Sequence, residues 1–511
     1  MNVFSLLSSR TPWLALAVGT VLVGCASVGP NFQAPESSTS SSWAERSSSA
    51  SELSHALPVS NASLPQAWWS VFNDATLDAL QTRAVRANPD LQTAALRFSQ
   101  SRVQQRMATS QAAPQVELNA KTTRQRQSEH DAQTRLVNAV GGANAPQLVQ
   151  LLSDPFSLYQ AGFDVSWELD LWGRVRRSVE AAGADAEAAG ALLQDVHLTL
   201  SSELARAYFQ LRQIQHQQAL LARDIAIAQD MLVLQKVQAA NGLNDEGPLL
   251  NQTQSLAQLQ AQQNTMQMQQ AALLNQIGLL TGDEPGALNT LLVAPAIDLD
   301  GNAQPELSAL ALGQPAQWLR RRPDVRAAEA RLHAATAQVG VAMADLYPRI
   351  ALDASAGFQS MASSAFGDWG SRTWQIGPVL NLPIFDRGRR RANVELHRQD
   401  QQIAAIAWRQ SVLKAWQELD DALTAHAAER QRNQRLRERA TASHDQRALA
   451  QARARNGLVS ELTPLQAELS WRQAQSELIE SDARLQTSLV AIYKAAGGGT
   501  DMTEATNTDA P

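Results

Sequence analysis

The chain nearly repeats itself. The stretch from Asn88 to Ala120 aligns without a gap on Arg322 to Ala354, so Pro114 falls on Pro348, an offset of 234 residues (348 − 114). A second match joins the run starting at Trp167 (WELDLWGRVRR) to the run starting at Leu380 (LNLPIFDRGRR). A third joins Asn241-Gly242-Leu243 to Asn456-Gly457-Leu458. Each half therefore reads helix, strand, loop, strand, very long helix, turn, returning helix. Any fold for this chain has to give two similar units similar surroundings.

Four segments alternate apolar and polar residues, as strands do. In Gly162 to Trp172, Phe163, Val165, Trp167, Leu169 and Leu171 face one side, and Asp164, Ser166, Glu168 and Asp170 the other. Val116 to Lys121, Ile350 to Phe358 and Trp374 to Ile384 alternate likewise. Each segment is about ten residues, the length a tilted strand needs to cross a membrane. Trp172, Trp369 and Trp374 near strand ends fit an interfacial girdle. A half-buried soluble sheet also alternates, and the neighbouring helices decide between the two. No proline interrupts Gly173 to Ala240 or Asp386 to Asn456. At about 1.5 Å per residue each run makes a rod of roughly 100 Å. Leu200, Leu204, Tyr208, Leu211 and Ile214 trace a seam suited to side-by-side helices. Four strands cannot close a barrel, and an open edge in lipid is forbidden. Three copies would supply twelve strands around a water-filled lumen. The expected fold is an α+β membrane protein: a trimeric 12-stranded β-barrel continued by a long α-helical barrel.

Composition excludes much else. Lys and Arg number 43 against 49 Asp and Glu, a net charge of −6, so no basic excess points to nucleic acid. The eight histidines never pair at i, i+4, and no metal site is expected. There is no phosphate-binding glycine loop, and nothing groups the acids with a nucleophile. A glycosidase-like carboxylate pair is compatible with so many acids, but carboxylates on helices are ordinarily solvated. No enzyme activity and no cofactor are expected.

The single cysteine, Cys25, follows an apolar run from Trp13 to Val23 that is preceded by Arg10. Leu22-Val23-Gly24-Cys25 resembles the bacterial lipobox. That resemblance implies cleavage before Cys25 and acylation there, and Ala26 at the next position implies outer-membrane sorting. The expected divisions are a signal peptide (1–24), a Ser-rich anchored linker (25–65), a first repeat (66–300), a second repeat (301–497) and a disordered tail (498–511).

Across nearly the whole mature chain the sequence resembles the outer-membrane efflux lipoproteins of the TolC/OprM class, in the NodT-like branch. The marks are Cys25-Ala26-Ser27-Val28-Gly29-Pro30-Asn31-Phe32, Trp68-Trp69 with Phe72 and Asp74, and Asn88-Pro89-Asp90-Leu91. They continue through Arg321-Arg322-Pro323-Asp324-Val325, Tyr347-Pro348 and Pro383-Ile384-Phe385-Asp386-Arg387-Gly388. Arg453 with Asn456-Gly457-Leu458, and Tyr493-Lys494-Ala495 with Gly497-Gly498-Gly499, complete the set. The resemblance implies a homotrimeric conduit in the Gram-negative outer membrane that reaches into the periplasm. It also implies a periplasmic adaptor and an inner-membrane pump, commonly of the resistance-nodulation-division type, as partners.

Candidate site residues follow. Asp164, Glu168, Asp170 and Asp353 are candidates for the lumen wall, or simply solvate an inner face. Arg174, Arg176, Arg177, Arg387, Arg389, Arg390 and Arg391 sit where strands become helices. They either meet outer-membrane lipid headgroups or pair with neighbouring helices. In the family the periplasmic end is closed by the returning helix of the second repeat. Leu462 matches a constriction leucine, while Gln466 stands where an aspartate is usual. Asp245, Glu246 and Glu461 are the nearest acids, and can substitute for that aspartate or lie exposed in turns. Gly242 and Gly457 mark the tips that would meet an adaptor. The leading expectation is a duct for drugs or solvents. Ducts for type I protein secretion or metal efflux share the same fold, and a purely structural bridging lipoprotein would lack a lumen.

Overall fold

The computed structural model describes residues 27–35, 59–60, 67–140, 142–243, 245–294, 310–311 and 315–498. Cys25, the signal peptide, most of the linker and the tail from residue 499 lie outside the described residues. The chain divides into two compact units that interleave in sequence. One draws on residues 27–33, 101–186 and 331–404, and the other on the remainder.

In chain order the helices are α1 (Ala75–Ala87), α2 (Pro89–Ser110), α3 (Ala132–Val140), α4 (Ala145–Ser153) and α5 (Arg174–Ala240). They continue as α6 (Gly247–Thr281), α7 (Pro315–Arg321), α8 (Pro323–Ala344), α9 (Arg389–Arg455) and α10 (Leu462–Ala495). The strands of the first unit are β1 (Gln115–Gln125), β2 (Phe156–Glu168), β3 (Arg349–Ser360) and β4 (Arg372–Asn381). The two rods α5 and α9 have the same length, 67 residues each.

In the first unit the strands form one antiparallel sheet in the order β1-β2-β3-β4. Directly opposed residues share a face. Val116, Val165, Ala354 and Ile376 form one row, and Leu118, Phe163, Ala356 and Trp374 the next. The other face carries Glu117, Asp164, Ser355 and Gln375 in one row, and Ser166 with Asp353 in another. The period-2 alternation thus holds across all four strands, and the register brings every apolar set to one side. The helical part of this unit is lined with small residues, Ala181, Ala184, Ala337 and Ala342 among those buried. A Cβ on Gly340 would meet the Arg177 side chain at 2.9 Å, so glycine is what lets Arg177 lie flat against α8.

Two strands, β2 and β4, end earlier than the alternation predicts, while β1 and β3 run on to Gln125 and Ser360. Gly162 to Trp172 reads as one strand, but β2 stops at Glu168. Asp170 takes a left-handed backbone (φ 47°), and its carboxylate accepts from the Val175 and Arg176 amides at 2.8 and 3.0 Å. Those amides belong to the first turn of α5, where a carboxylate offsets unpaired N–H groups and the helix dipole. Likewise β4 stops at Asn381 rather than Ile384. Asp386 accepts from the Gly388 and Arg390 amides at 3.1 and 3.3 Å as α9 begins. The match that set Trp167 on Leu380 is also shifted by two residues. The rods start at Arg174 and Arg389, an offset of 215 (389 − 174).

In the second unit the core gathers on Trp68, Leu77, Leu80, Leu204, Leu211, Ile277 and Val490, all buried. Trp68 stacks on Tyr493 at 5.6 Å. Asp74 caps α1 through the Thr76 and Leu77 amides and accepts the Tyr208 hydroxyl at 2.5 Å. Burial, together with this bond to a carboxylate, pushes the Tyr208 hydroxyl up to about 12.

The repeat also reproduces a joint. Asn88 donates to the Leu280 carbonyl at 3.0 Å and accepts from the Leu91 amide at 2.8 Å. At the matching place Arg322 donates to the Ala495 carbonyl at 2.9 Å and pairs with Asp324 and Glu418. Each joint closes against a left-handed glycine, Gly282 or Gly497. A Cβ on Gly282 would lie 2.5 Å from the Ala87 carbonyl oxygen.

Candidate functional site

The polar sheet face is the first element of the site. Asp164 accepts from Asn119 Nδ2 at 2.7 Å, and Asp353 accepts from Ser166 Oγ at 2.7 Å. Glu168 lies on the same face but is held by Arg174, which donates through both Nε (2.9 Å) and Nη2 (2.7 Å). Glu117, opposite Asp164, joins the group. Its place among the polar positions of the alternation was the signal for it. Asp170 is not on this face: it stands in the turn that starts α5, as described above. At the helix end of the sheet a polar hollow of about 570 Å³ is lined by Ser166, Glu168, Asp345, Arg349, Arg390 and Asn393.

The opposite face presents Val116, Leu118, Phe163, Trp374, Ile376 and Leu380 in exposed positions. Among the described residues the outer edges of β1 and β4 are unpaired. Each unpaired backbone group would cost several kcal/mol in hydrocarbon, so the sheet is incomplete as a membrane element until its edges are joined.

The basic residues at the strand–helix junctions divide into two groups. Arg174 is engaged by Glu168, and Arg176 by the carboxylate and carbonyl of Asp170. Arg177 is buried, donating to Glu180 and to Asn31. Arg390 pairs with Asp386 and donates to the Asp345 carbonyl. Arg387 and Arg389 are exposed and, among the described residues, carry no ion pair. They stand next to the exposed Ile384 and Phe385, an arrangement suited to a headgroup boundary. Of the expected girdle, Trp369 and Trp374 are exposed. Trp172 instead stacks on Tyr347 and donates to the Pro348 carbonyl.

Residues 27–33 explain a motif that the sequence could only list. Val28 donates to the Trp172 carbonyl at 3.0 Å, Asn31 accepts Arg177, and Phe32 stacks on His333 at 4.4 Å. A Cβ on Gly29 would sit 2.5 Å from Gly340 Cα. This segment is clamped to the first unit at the start of α5.

In the second unit both helix tips share one geometry. Gly242 (φ 72°) and Gly457 (φ 69°) stop their rods. Leu243 and Leu458 then donate back to the Gln238 and Arg453 carbonyls, the arrangement of a Schellman stop. Asp245, Glu246, Glu461 and Gln466 are exposed, and Leu462 is half-buried at the first residue of α10. Asp245 accepts from the Gly247 amide.

Ten residues into α10 lies an ionic node that sequence reasoning missed. Buried Arg472 donates to Glu468 at 2.7 Å and sits 3.6 Å from Asp224 of α5. Arg447 of α9 donates to Glu468 and lies 3.7 Å over the Trp471 ring. Burial pushes the Asp224 carboxyl up to about 6, against the pull of Arg472. The node ties the returning helix to both rods. No periodic signal announces it, because its members sit on three separate helices.

Comparison with known proteins agrees with this architecture. Residues 80–283 and 315–498 match the family described as outer membrane efflux protein. Outer membrane protein OprJ of Pseudomonas aeruginosa is 31% identical over 95% of each chain. The toluene efflux pump outer membrane protein TtgF of Pseudomonas putida is 29% identical, over 96% of this chain and 98% of its own. The outer-membrane channel OprN has the same fold at a TM-score of 0.78 and 28% identity, over 93% of this chain and 99% of that one. With its fold that of the trimeric outer-membrane efflux channels, the chain belongs to the outer membrane efflux protein family.

Proposed function

We propose that three copies of this chain join edge to edge into one barrel and form a passive duct for small molecules, drugs or organic solvents. The single observation that carries the reading is the sheet: one face apolar, one face polar, and two free edges running antiparallel to each other. Relatives named for toluene and antibiotic efflux support the choice of cargo. The protein performs no bond chemistry and needs no cofactor. The driving energy comes from an inner-membrane pump, of the resistance-nodulation-division type, through a periplasmic adaptor that meets the tips at Gly242 and Gly457.

Asp164, Asp353 and Glu117 line the lumen, and Glu168 lies there neutralised by Arg174. Arg387 and Arg389 face headgroups. Leu462 and Gln466 stand at the closure, with an uncharged ring where the family usually has aspartate. Acyl chains on Cys25 tether the N-terminus, and the clamp at residues 27–33 sets where that tether leaves the body.

The test is conductance of the purified assembly in a planar bilayer, with wild type and with small polar substitutions at Leu462 and Gln466. A closed or weakly conducting wild type and strongly conducting variants are expected. Silence from both would leave a structural bridging role. Cys25→Ser should stay in the membrane fraction through its strands, and its release into the soluble fraction would remove the barrel reading.

A further inference from the structure

The two halves differ most at one place. β1 precedes β3 by 234 residues (349 − 115), but α5 precedes α9 by only 215 (389 − 174). The first half therefore carries 19 extra residues (234 − 215) between the start of its first strand and the start of its rod. They fall in the connection 126–155, which holds α3 and α4, whereas residues 361–371 suffice to join β3 to β4. Both connections leave the same end of the sheet, beyond the Gln125–Phe156 and Phe358–Arg372 pairs.

The added helices are amphipathic in an unusual sense. Ala145, Val149 and Ser153 of α4 are buried, while Leu148, Leu151 and Leu152 point outward. Leu151 is 69% exposed, and on α3 Leu136 and Val140 are 67% and 79% exposed. Spacings of three and four residues gather these side chains into stripes. The shorter connection is also apolar and exposed, with Met361 at 65%, Phe366 at 38% and Trp369 at 77%. Arg372 lies 3.8 Å over the Trp369 ring. Exposed apolar surface of this extent in one place marks an interaction site.

Its occupant follows from the edges. Among the described residues β1 and β4 are the free edges, and closing the barrel sets β4 of one copy antiparallel beside β1 of the next. Connection 126–155 leaves the end of β1, and connection 361–371 enters the start of β4. Those are the two ends that such pairing brings together. We infer that the α3–α4 stripe of each copy receives the Met361–Trp369 connection of its neighbour, sealing the outer end of every seam between copies. The stripe is aliphatic and its counterpart largely aromatic, so apolar side chains meet from both sides, with the Arg372 guanidinium staying over the Trp369 ring. This inference rests on the trimeric reading above.

Disulfide trapping tests it, since Cys25 is the only native cysteine. Leu151→Cys with Met361→Cys, and Val140→Cys with Phe366→Cys, are made in the full chain and oxidised in outer membranes. Covalent dimers and trimers that require both cysteines are expected, with none from either single variant or from wild type. Light scattering of the same proteins in detergent keeps the two ideas separable. A trimeric mass without cross-linking from any pair overturns the seam contact alone. A monomeric mass overturns the channel reading beneath it. Cross-linking by Leu151→Cys alone would mean that the stripes meet each other. Quenching of a fluorophore on Leu151→Cys by doxyl-labelled lipid would mean that they face lipid. Either result overturns the inference.

Discussion

Replacing Arg322 by alanine should destabilise the protein more than any comparable change at the matching joint of the other half. Arg322 is 5% exposed and donates to Asp324 at 3.0 and 2.7 Å, to Glu418 at 2.6 Å and to the Ala495 carbonyl at 2.9 Å. Hydrogen bonds to charged groups contribute about 1.5–3 kcal/mol each. The side chains of Asp324 and Glu418 are 30% and 41% exposed and would regain water, which discounts their share. The Ala495 carbonyl sits in a buried residue and recovers nothing. Breaking a buried pair by removing one partner costs about 3–5 kcal/mol, and the lower half of that range fits this geometry. Asn88 holds the equivalent joint with two neutral bonds, so Asn88→Ala should cost about 2 kcal/mol. Guanidinium unfolding of both variants in detergent, followed by helical circular dichroism, measures the pair. A loss for Arg322→Ala no larger than that for Asn88→Ala would refute the assignment of Arg322 as the ionic hub of the second joint.

Three further outcomes are expected. Asp164→Asn with Asp353→Asn should lower the cation preference of the open pore several-fold at low salt, and much less at 1 M salt where the screening length is about 3 Å; reversal potentials measure it, and an unchanged selectivity would move these acids off the lumen. His426 is buried and its imidazole is pushed down to about 4, mainly by burial and further by Arg430. Its folded value lies below the unfolded one of about 6.5, so its contribution to stability is complete above pH 6.5 and lost as pH falls toward 4; His426→Asn should flatten that part of the melting-temperature profile, and an unchanged slope would exclude it. Gly242→Ala and Gly457→Ala meet no neighbouring atom among the described residues but force alanine into a left-handed backbone, costing about 1 kcal/mol each; both variants should assemble normally in melting and sizing assays, and loss of assembly would contradict the open space around both glycines.

The fold was legible wherever one period ran long. Alternation located all four strands, and the proline-free runs located both rods. The strand ends were not legible, because Leu169-Asp170-Leu171-Trp172 keeps alternating while the Asp170 carboxylate is drawn to the helix amides of α5. A two-residue difference in turn length then misaligned the two junctions. The small helices α3 and α4 escaped notice, since nine residues carry too little periodicity to stand out. The polar face of the sheet was readable from parity alone. The split of the arginines into engaged and exposed groups was not, because sequence spacing does not say which carboxylate folds back within reach. The node at Arg472 was illegible for a related reason: its partners come from helices far apart in the chain.

Edge-to-edge pairing is tested most directly by amide hydrogen exchange on the detergent-purified assembly. In an isolated sheet the outward amides of Gln115–Gln125 and Arg372–Asn381 lack partners and exchange within seconds. In a closed barrel they are bonded to the adjacent copy and exchange as slowly as the amides of Phe156–Glu168 and Arg349–Ser360. Uniform protection across all four strands is the predicted result. Fast exchange confined to alternate residues of the two outer strands would contradict it.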